Sequence, residues 1–329
     1  MRIAIIGQQA FGKGVFEAFR ARGDEVAGVF CAPEKPGARP DPLRQAAEVA
    51  NIGVLQLPSL KTAEAEHALR ALDVDLAVMA YVLQFAPQSF VNIPRHGTIQ
   101  YHPSLLPRHR GPSSINWPLI LGEKQTGLTI FRPTDGLDEG PILLQKTVTI
   151  GPDDTVGSVY FDRLFPMGVA AMLEAADLVV AGHHTETPQE ESLATYEGWC
   201  RDGETEINWH GSVEAVYNLI RGCIPAPGAW TNVNGRKVRI LEARKHIARR
   251  FADIAGIPGE ITSIGAESIV VAVQGGSVEL LKVRAEGAEK SSAADFCAAL
   301  GLAAGHRLNA AAAAPAPQTA RPAKEAEPA

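Results

Sequence analysis

The sequence predicts an α/β protein: a Rossmann-like, mainly parallel sheet covered by helices, followed by a small C-terminal β-barrel of the OB-like kind. Three observations predict it. Short apolar runs alternate with amphipathic helical runs over roughly the first 150 residues. A polar stretch, 182–204, breaks that rhythm. Beyond it, short β-rich runs are punctuated by Pro225, Pro227, Gly228, Gly235, Pro258, Gly265 and Gly275.

The elements follow in order. Residues 2–6 are continuously apolar and read as a buried strand, and 12–22 carry a helical apolar stripe. A strand over 25–30, a loop and a helix over 42–50 repeat the unit; 54–57, a helix over 63–72 and a strand over 75–80 repeat it again. A short helix near Pro87 leads to the strand 97–101. After a loop fixed by Pro103, Pro107 and Gly111, a helix is predicted over 114–121, then strands over 127–131 and 142–150. Pro152-Asp153-Asp154-Thr155 is an N-cap cluster, and the helix it starts is predicted to run to about Ala181 with a kink at Pro166. The domain is thus expected to span 1–181, with 182–204 as a linker. The second domain, 205–308, is expected to hold one helix over 213–220 and strands over 238–241, 259–264, 268–273 and 277–283. Residues 309–329 form an Ala/Pro tail too poor in packing side chains to fold, and disorder is expected there.

Composition narrows the function. At 329 residues and 46% hydrophobic the chain can build two cores. A net charge of -6 argues against a broadly basic, phosphate-neutralising surface. The apolar start is too short for a signal peptide, and no run reaches the ~18 apolar residues of a membrane span, so a cytoplasmic protein is expected. Cys31, Cys200, Cys223 and Cys297 are widely spaced with no C-x-x-C, which suits reduced packing thiols and gives no zinc signature.

Some motifs lead nowhere. Gly7 to Lys13 matches G-x-x-x-x-G-K, but Gly14 stands where a P-loop needs Ser or Thr for magnesium, and no G-x-G-x-x-G occurs in this turn. His183-His184 lacks a partner at metal-ligand spacing and reads as polar linker. Two loops carry more. His102 ends the 97–101 strand, and Asp138 sits in a Gly-flanked loop of the same domain. An aspartate beside a histidine orients the ring and favours its protonated form. On local sequence alone, His102 could equally cap its strand and Asp138 its own turn, as Asp135 is expected to do.

Family resemblance adds to this. His102-Pro103-Ser104-Leu105-Leu106-Pro107-Arg108-His109-Arg110-Gly111, then Ser114-Ile115-Asn116-Trp117 and Asp135-Gly136-Leu137-Asp138-Glu139-Gly140, resemble the formyltransferase family that uses 10-formyltetrahydrofolate. Residues 1–8 with Phe11-Gly12, Asp41-Pro42-Leu43, Gln84-Phe85 and Pro227-Gly228-Ala229-Trp230-Thr231 are most similar to the hydrolase domain of 10-formyltetrahydrofolate dehydrogenases, while the C-terminal barrel resembles that of methionyl-tRNA formyltransferases. The resemblance implies His102 as the catalytic histidine and Asp138 as its carboxylate partner. It places Gln84, Phe85 and Ala86 at the folate pocket, lined further by Ser104, Leu105, Leu106 and Pro107. It implies 10-formyltetrahydrofolate as a consumed co-substrate, no metal, and an amine acceptor that could be an aminoacyl-tRNA.

One position departs from the pattern. Many members carry Asn two residues before the histidine as an amide donor to the oxyanion, and the dehydrogenase's hydrolase domain is apolar there; this chain has Gln100. Gln100 is expected either to reach the same oxygen or to bond locally. Arg108, His109 and Arg110 read as solvated charges or as contacts to a phosphate, a folate tail or a tRNA end. The mixed charges of 31–41 and the acidic join 202–206 weigh against tRNA. Formyl transfer is therefore the first expectation, hydrolysis to formate the second, and a non-catalytic folate-binding protein the third. The dehydrogenase reaction is not expected, since neither a carrier nor an aldehyde-dehydrogenase domain follows.

Overall fold

A seven-stranded sheet organises the N-terminal unit of the computed structural model, which describes residues 1–309. Its order is β3-β2-β1-β4-β5-β6-β7, from β1 (Arg2–Gly7), β2 (Glu25–Cys31), β3 (Val54–Gln56), β4 (Leu76–Ala80), β5 (Thr98–His102), β6 (Gln125–Phe131) and β7 (Ile142–Thr149). The first five strands are parallel; β6 and β7 are antiparallel to their neighbours. Continuous apolar runs become strands buried on both faces. In β1, Ile3 and Ile5 enter one core with Phe11, Phe16 and Phe19, while Ala4 and Ile6 enter the other with Phe30, Leu60 and Phe90.

Helices α1 (Gln9–Ala21), α2 (Pro42–Val49), α3 (Ala63–Ala71), α4 (Gln88–Val91) and α5 (Asn116–Ile120) fill the connections. Helix α1 starts three residues earlier than periodicity predicts, through a left-handed Gln9 (φ 61°) whose N–H donates to the Asp41 carboxylate. That carboxylate also caps α2 by accepting from Leu43 N.

The long helix expected after Thr155 is divided into three segments. Thr155 and Ser158 form a capping box on α6 (Val156–Val159), a π-helical turn occupies Tyr160–Leu164, and Pro166 then lies in the first turn of α7 (Phe165–Val180). The π turn thus ends just before the position whose N–H proline lacks.

Residues 182–204 were expected to be plain connection, yet they bond back onto the unit. Thr187 bridges to Ile142 and Tyr196 to Arg110. Helix α8 (Val213–Arg221) clusters with this first unit, which comprises Met1–Glu206 and Glu214–Ala229. Tyr217 donates to Asp153, and Arg221 to the carbonyls of Gly151 and Asp154.

The second unit is an antiparallel half-barrel, ordered β10-β11-β12-β9-β8 with β13 on β12. Its strands are β8 (Trp230–Val233), β9 (Arg236–Ile247), β10 (Ile261–Ile264), β11 (Ile269–Val273), β12 (Gly276–Ala285) and β13 (Ser291–Ser292), followed by α9 (Ala293–Ala299). Alternate residues Val238 and Ile240, Val271 and Val273, and Val278 and Leu280 are buried. Asn309, where the tail was expected to begin, donates to the Ile207 carbonyl and accepts from Thr231 and Asn232 N. The rest of that expected tail lies outside the described residues.

Candidate active site

Strand periodicity sets the first two side chains. Gln100 and His102 lie two apart on β5 and share a face, while Ile99 and Tyr101, which alternate with them, pack into the helical core. Tyr101 stacks on Phe11 at 4.2 Å, and burial holds its phenol well above the usual range, so a neutral ring backs the strand. His102 and Gln100 both line a cavity of about 530 Å³.

The ring of His102 is anchored on one side. Its Nε2 lies 2.8 Å from the carbonyl of His109, which can only accept, so Nε2 carries a hydrogen. Nδ1 is the nitrogen left for exchange, and it faces Asp138 Oδ2 at 3.5 Å. The same oxygen accepts from Gly111 N at 2.9 Å. Structure therefore joins the two residues that sequence proximity could not. The gap exceeds a charge-assisted hydrogen bond.

Asp138 sits on a strained loop. Its φ is 55°, in the left-handed region. Nearby Gly140 has no room for a side chain, since a Cβ there would lie 1.6 Å from the Arg132 carbonyl. Asp135 does not close its own turn: its carboxylate accepts from Gln88 N at 3.1 Å and ties the loop to α4.

Of the other expected residues, Gln84, Phe85 and Ala86 line the same cavity. Gln84 donates to the Leu57 carbonyl, and Phe85 is 43% exposed with the Lys61 ammonium 4.5 Å above its ring. Leu83 and Leu137, also exposed, add apolar surface at the mouth. This combination suits a flat heteroaromatic ligand.

Ser104, Leu105, Leu106 and Pro107 do not line this cavity; Leu105 to Pro107 line a separate depression with Arg108 and His109. The physical reason is local bonding. Ser104 is buried and donates to the Arg108 carbonyl, while Thr129 Oγ1 donates to Ser104 O and accepts from Leu106 N, so the segment folds onto β6.

The basic cluster also reads differently. Arg108 is exposed, but His109 is buried between Glu123 and Glu197, each at 3.1 Å. Arg110 is fully buried and bonded to Glu191, Gln189 and Tyr196. Carboxylates 14 to 88 residues away in the chain take up both side chains. Sequence reasoning missed Trp199, which lines the cavity, and nothing local distinguished it. Among the described residues no cluster of three or more His, Cys, Asp or Glu could hold a metal. Nor is any described helix long and apolar enough to cross a membrane.

The chemistry open to this geometry is proton exchange at one imidazole nitrogen beside a carboxylate, with a carboxamide alongside. Comparisons with known proteins point the same way. The profile of the family described as "Formyl transferase" matches residues 1–175, and that of "Formyl transferase, C-terminal domain" matches 201–301. Human mitochondrial 10-formyltetrahydrofolate dehydrogenase is 44% identical over 72% of the chain, which spans only 26% of that protein's length. Methionyl-tRNA formyltransferase of Geobacter metallireducens is 34% identical over 94% of the chain and 98% of its own. Two solved structures share the fold. HypX from Aquifex aeolicus in complex with tetrahydrofolic acid has a TM-score of 0.63 and 20% identity over 90% of this chain and 47% of its own. An N-formyltransferase from Helicobacter canadensis, in complex with folinic acid and dTDP-3-aminofucose, has a TM-score of 0.65 and 15% identity over 85% and 98%. With profiles covering both units and a relative matched nearly end to end, the chain belongs to the formyl transferase family.

Proposed function

We propose that the protein moves a formyl group from 10-formyltetrahydrofolate to an amine acceptor, in the manner of a methionyl-tRNA formyltransferase, and releases tetrahydrofolate. The observation that carries this reading is the convergence of His102, Asp138 and Gln100 on one cavity walled by Phe85, Leu83 and Ala86. The pterin sits against the apolar wall. The acceptor nitrogen attacks the formyl carbon, the carbonyl π pair moves onto oxygen, and the Gln100 carboxamide N–H donates to that oxyanion. Nδ1 of His102 exchanges the proton between the attacking nitrogen and the departing folate nitrogen, and Asp138 stabilises the imidazolium formed on the way. The carbon–nitrogen bond to the folate breaks and the formyl–acceptor bond remains.

Near end-to-end likeness to a methionyl-tRNA formyltransferase, including the second unit, supports transfer. Hydrolysis to formate is the second reading, favoured by the higher identity, 44% against 34%, to the formyltetrahydrofolate dehydrogenases. Incubation with 10-formyltetrahydrofolate labelled in the formyl carbon, with and without methionyl-tRNA or small amines, separates them. Label on an amide supports transfer, label in formate supports hydrolysis, and label retained on folate under all conditions refutes both.

A further inference from the structure

We propose that Gln189 is a positioning residue that holds the carboxylate of Asp138 at His102; the inference rests on the roles given to those two residues above. Gln189 stands in the stretch whose sequence reads as linker, half-buried among exposed neighbours. Its carboxamide uses both ends. The oxygen accepts from Arg110 Nε at 3.1 Å and Nη2 at 2.8 Å. The nitrogen donates to the carbonyls of Asp138 at 2.7 Å and Gly140 at 2.8 Å. Arg110 itself has a fully buried side chain paired to Glu191 at 2.6 Å.

This clamp acts where the loop needs it. A non-glycine residue at φ 55° persists only where its surroundings hold it, and two of the bonds that do so here come from one side chain. Gly111 N holds the carboxylate from the other side. Because Arg110 and Gly111 are adjacent in the chain and Arg110 fixes Gln189, one turn of backbone references both ends of Asp138. Releasing the clamp lets the backbone leave the left-handed region and carries Oδ2 away from Nδ1.

The informative variant is Gln189→Glu. Its carboxylate keeps an acceptor, now charged, for Arg110, but presents oxygen where Asp138 and Gly140 need a donor. Expected is a fall in kcat of roughly ten- to a hundredfold, the scale of a misplacement of about 1 Å, with KM for 10-formyltetrahydrofolate nearly unchanged. The pH–rate profile should also shift, because the His102–Asp138 pair has lost its geometry. In an Asp138→Asn background the same change should cost nothing further, because the group it positions is gone. Should Gln189→Glu fail to fold by thermal melting, Gln189→Met, similar in shape and without donors, carries the same expectation. A wild-type kcat and pH profile, a loss confined to KM, or an equal loss in the Asp138→Asn background overturns the proposal. If Asp138→Asn is inactive while Gln189→Glu is normal, only the clamp is refuted. If Asp138→Asn turns over at the wild-type rate, the assigned role of Asp138 fails, and the clamp with it.

Discussion

Replacing Gly168 by alanine tests whether the core behind β5 sets the positions of Gln100 and His102. Gly168 lies in the interior of α7, where alanine gains about 1 kcal/mol of helix propensity over glycine. Packing opposes the gain. A Cβ at 168 would lie 2.6 Å from Tyr101 Cε2 and 3.0 and 3.2 Å from Phe11 Cε2 and Cζ. Tyr101 cannot retreat, since it stacks on Phe11 at 4.2 Å and Phe11 meets the edge of Phe165 at 5.5 Å. Overpacking of this kind costs about 1–3 kcal/mol, so the net effect of Gly168→Ala is a loss of about 1 kcal/mol. For a unit the size of the first one that is a fall of about 2–4 °C in Tm, readable by circular dichroism. Because Tyr101 lies between Gln100 and His102, kcat should fall with it while KM changes little. Adding Phe11→Leu should relieve the clash, making the double variant's loss smaller than the sum of the single losses. A Gly168→Ala protein as stable as the wild type, or strict additivity with Phe11→Leu, refutes the reasoning.

Other outcomes follow from the same geometry. His102→Ala and Asp138→Ala should each lower turnover by about 10²- to 10⁴-fold with the thermal transition intact; near-normal rates would overturn their roles. Thr155→Ala removes one half of the capping box and should cost about 1 kcal/mol, measured as a lower Tm, while Thr155→Ser should recover most of it. Burial pushes the Cys31 thiol from its ordinary 9.0 up to about 12, with Asp41 and Glu34 adding to the shift. The unfolded thiol therefore ionises first, and the folded state loses stability as pH rises from about 9 towards 12. The urea midpoint of wild type should approach that of Cys31→Ala over that range; a constant difference would contradict it.

The N-terminal sheet was legible because β1, β2 and β4 are built on continuous apolar runs between amphipathic helices, a pattern set within a dozen residues. The pairing of His102 with Asp138 came from family wording, and no periodicity could have supplied it across a separation of 36 positions. Arg110 and His109 defeated local reading for the opposite reason. Three consecutive basic residues look solvated until Glu191, Glu123 and Glu197 arrive from distant segments and bury two of them. Residues 182–204 look like linker because their composition is polar, yet Thr187, Gln189 and Tyr196 bond into the unit through groups that any polar loop would carry. Ser104 to Pro107 show the same limit, since sequence gives the order of a loop and not which wall its hydrogen bonds fold it against.

The bond from His102 Nε2 to the His109 carbonyl would limit the proton inventory of the proposed transfer. With that nitrogen committed, the proposed mechanism leaves the ring a single working atom. In the proposed transfer the same Nδ1 must first receive and then return a proton, so the acceptor and the departing folate nitrogen have to meet it from the same edge of the imidazole, in sequence. Water that entered on that edge would compete for the same proton. The choice between an amide product and free formate thus becomes a question of which nucleophile occupies one small approach volume beside a ring that folding has already oriented.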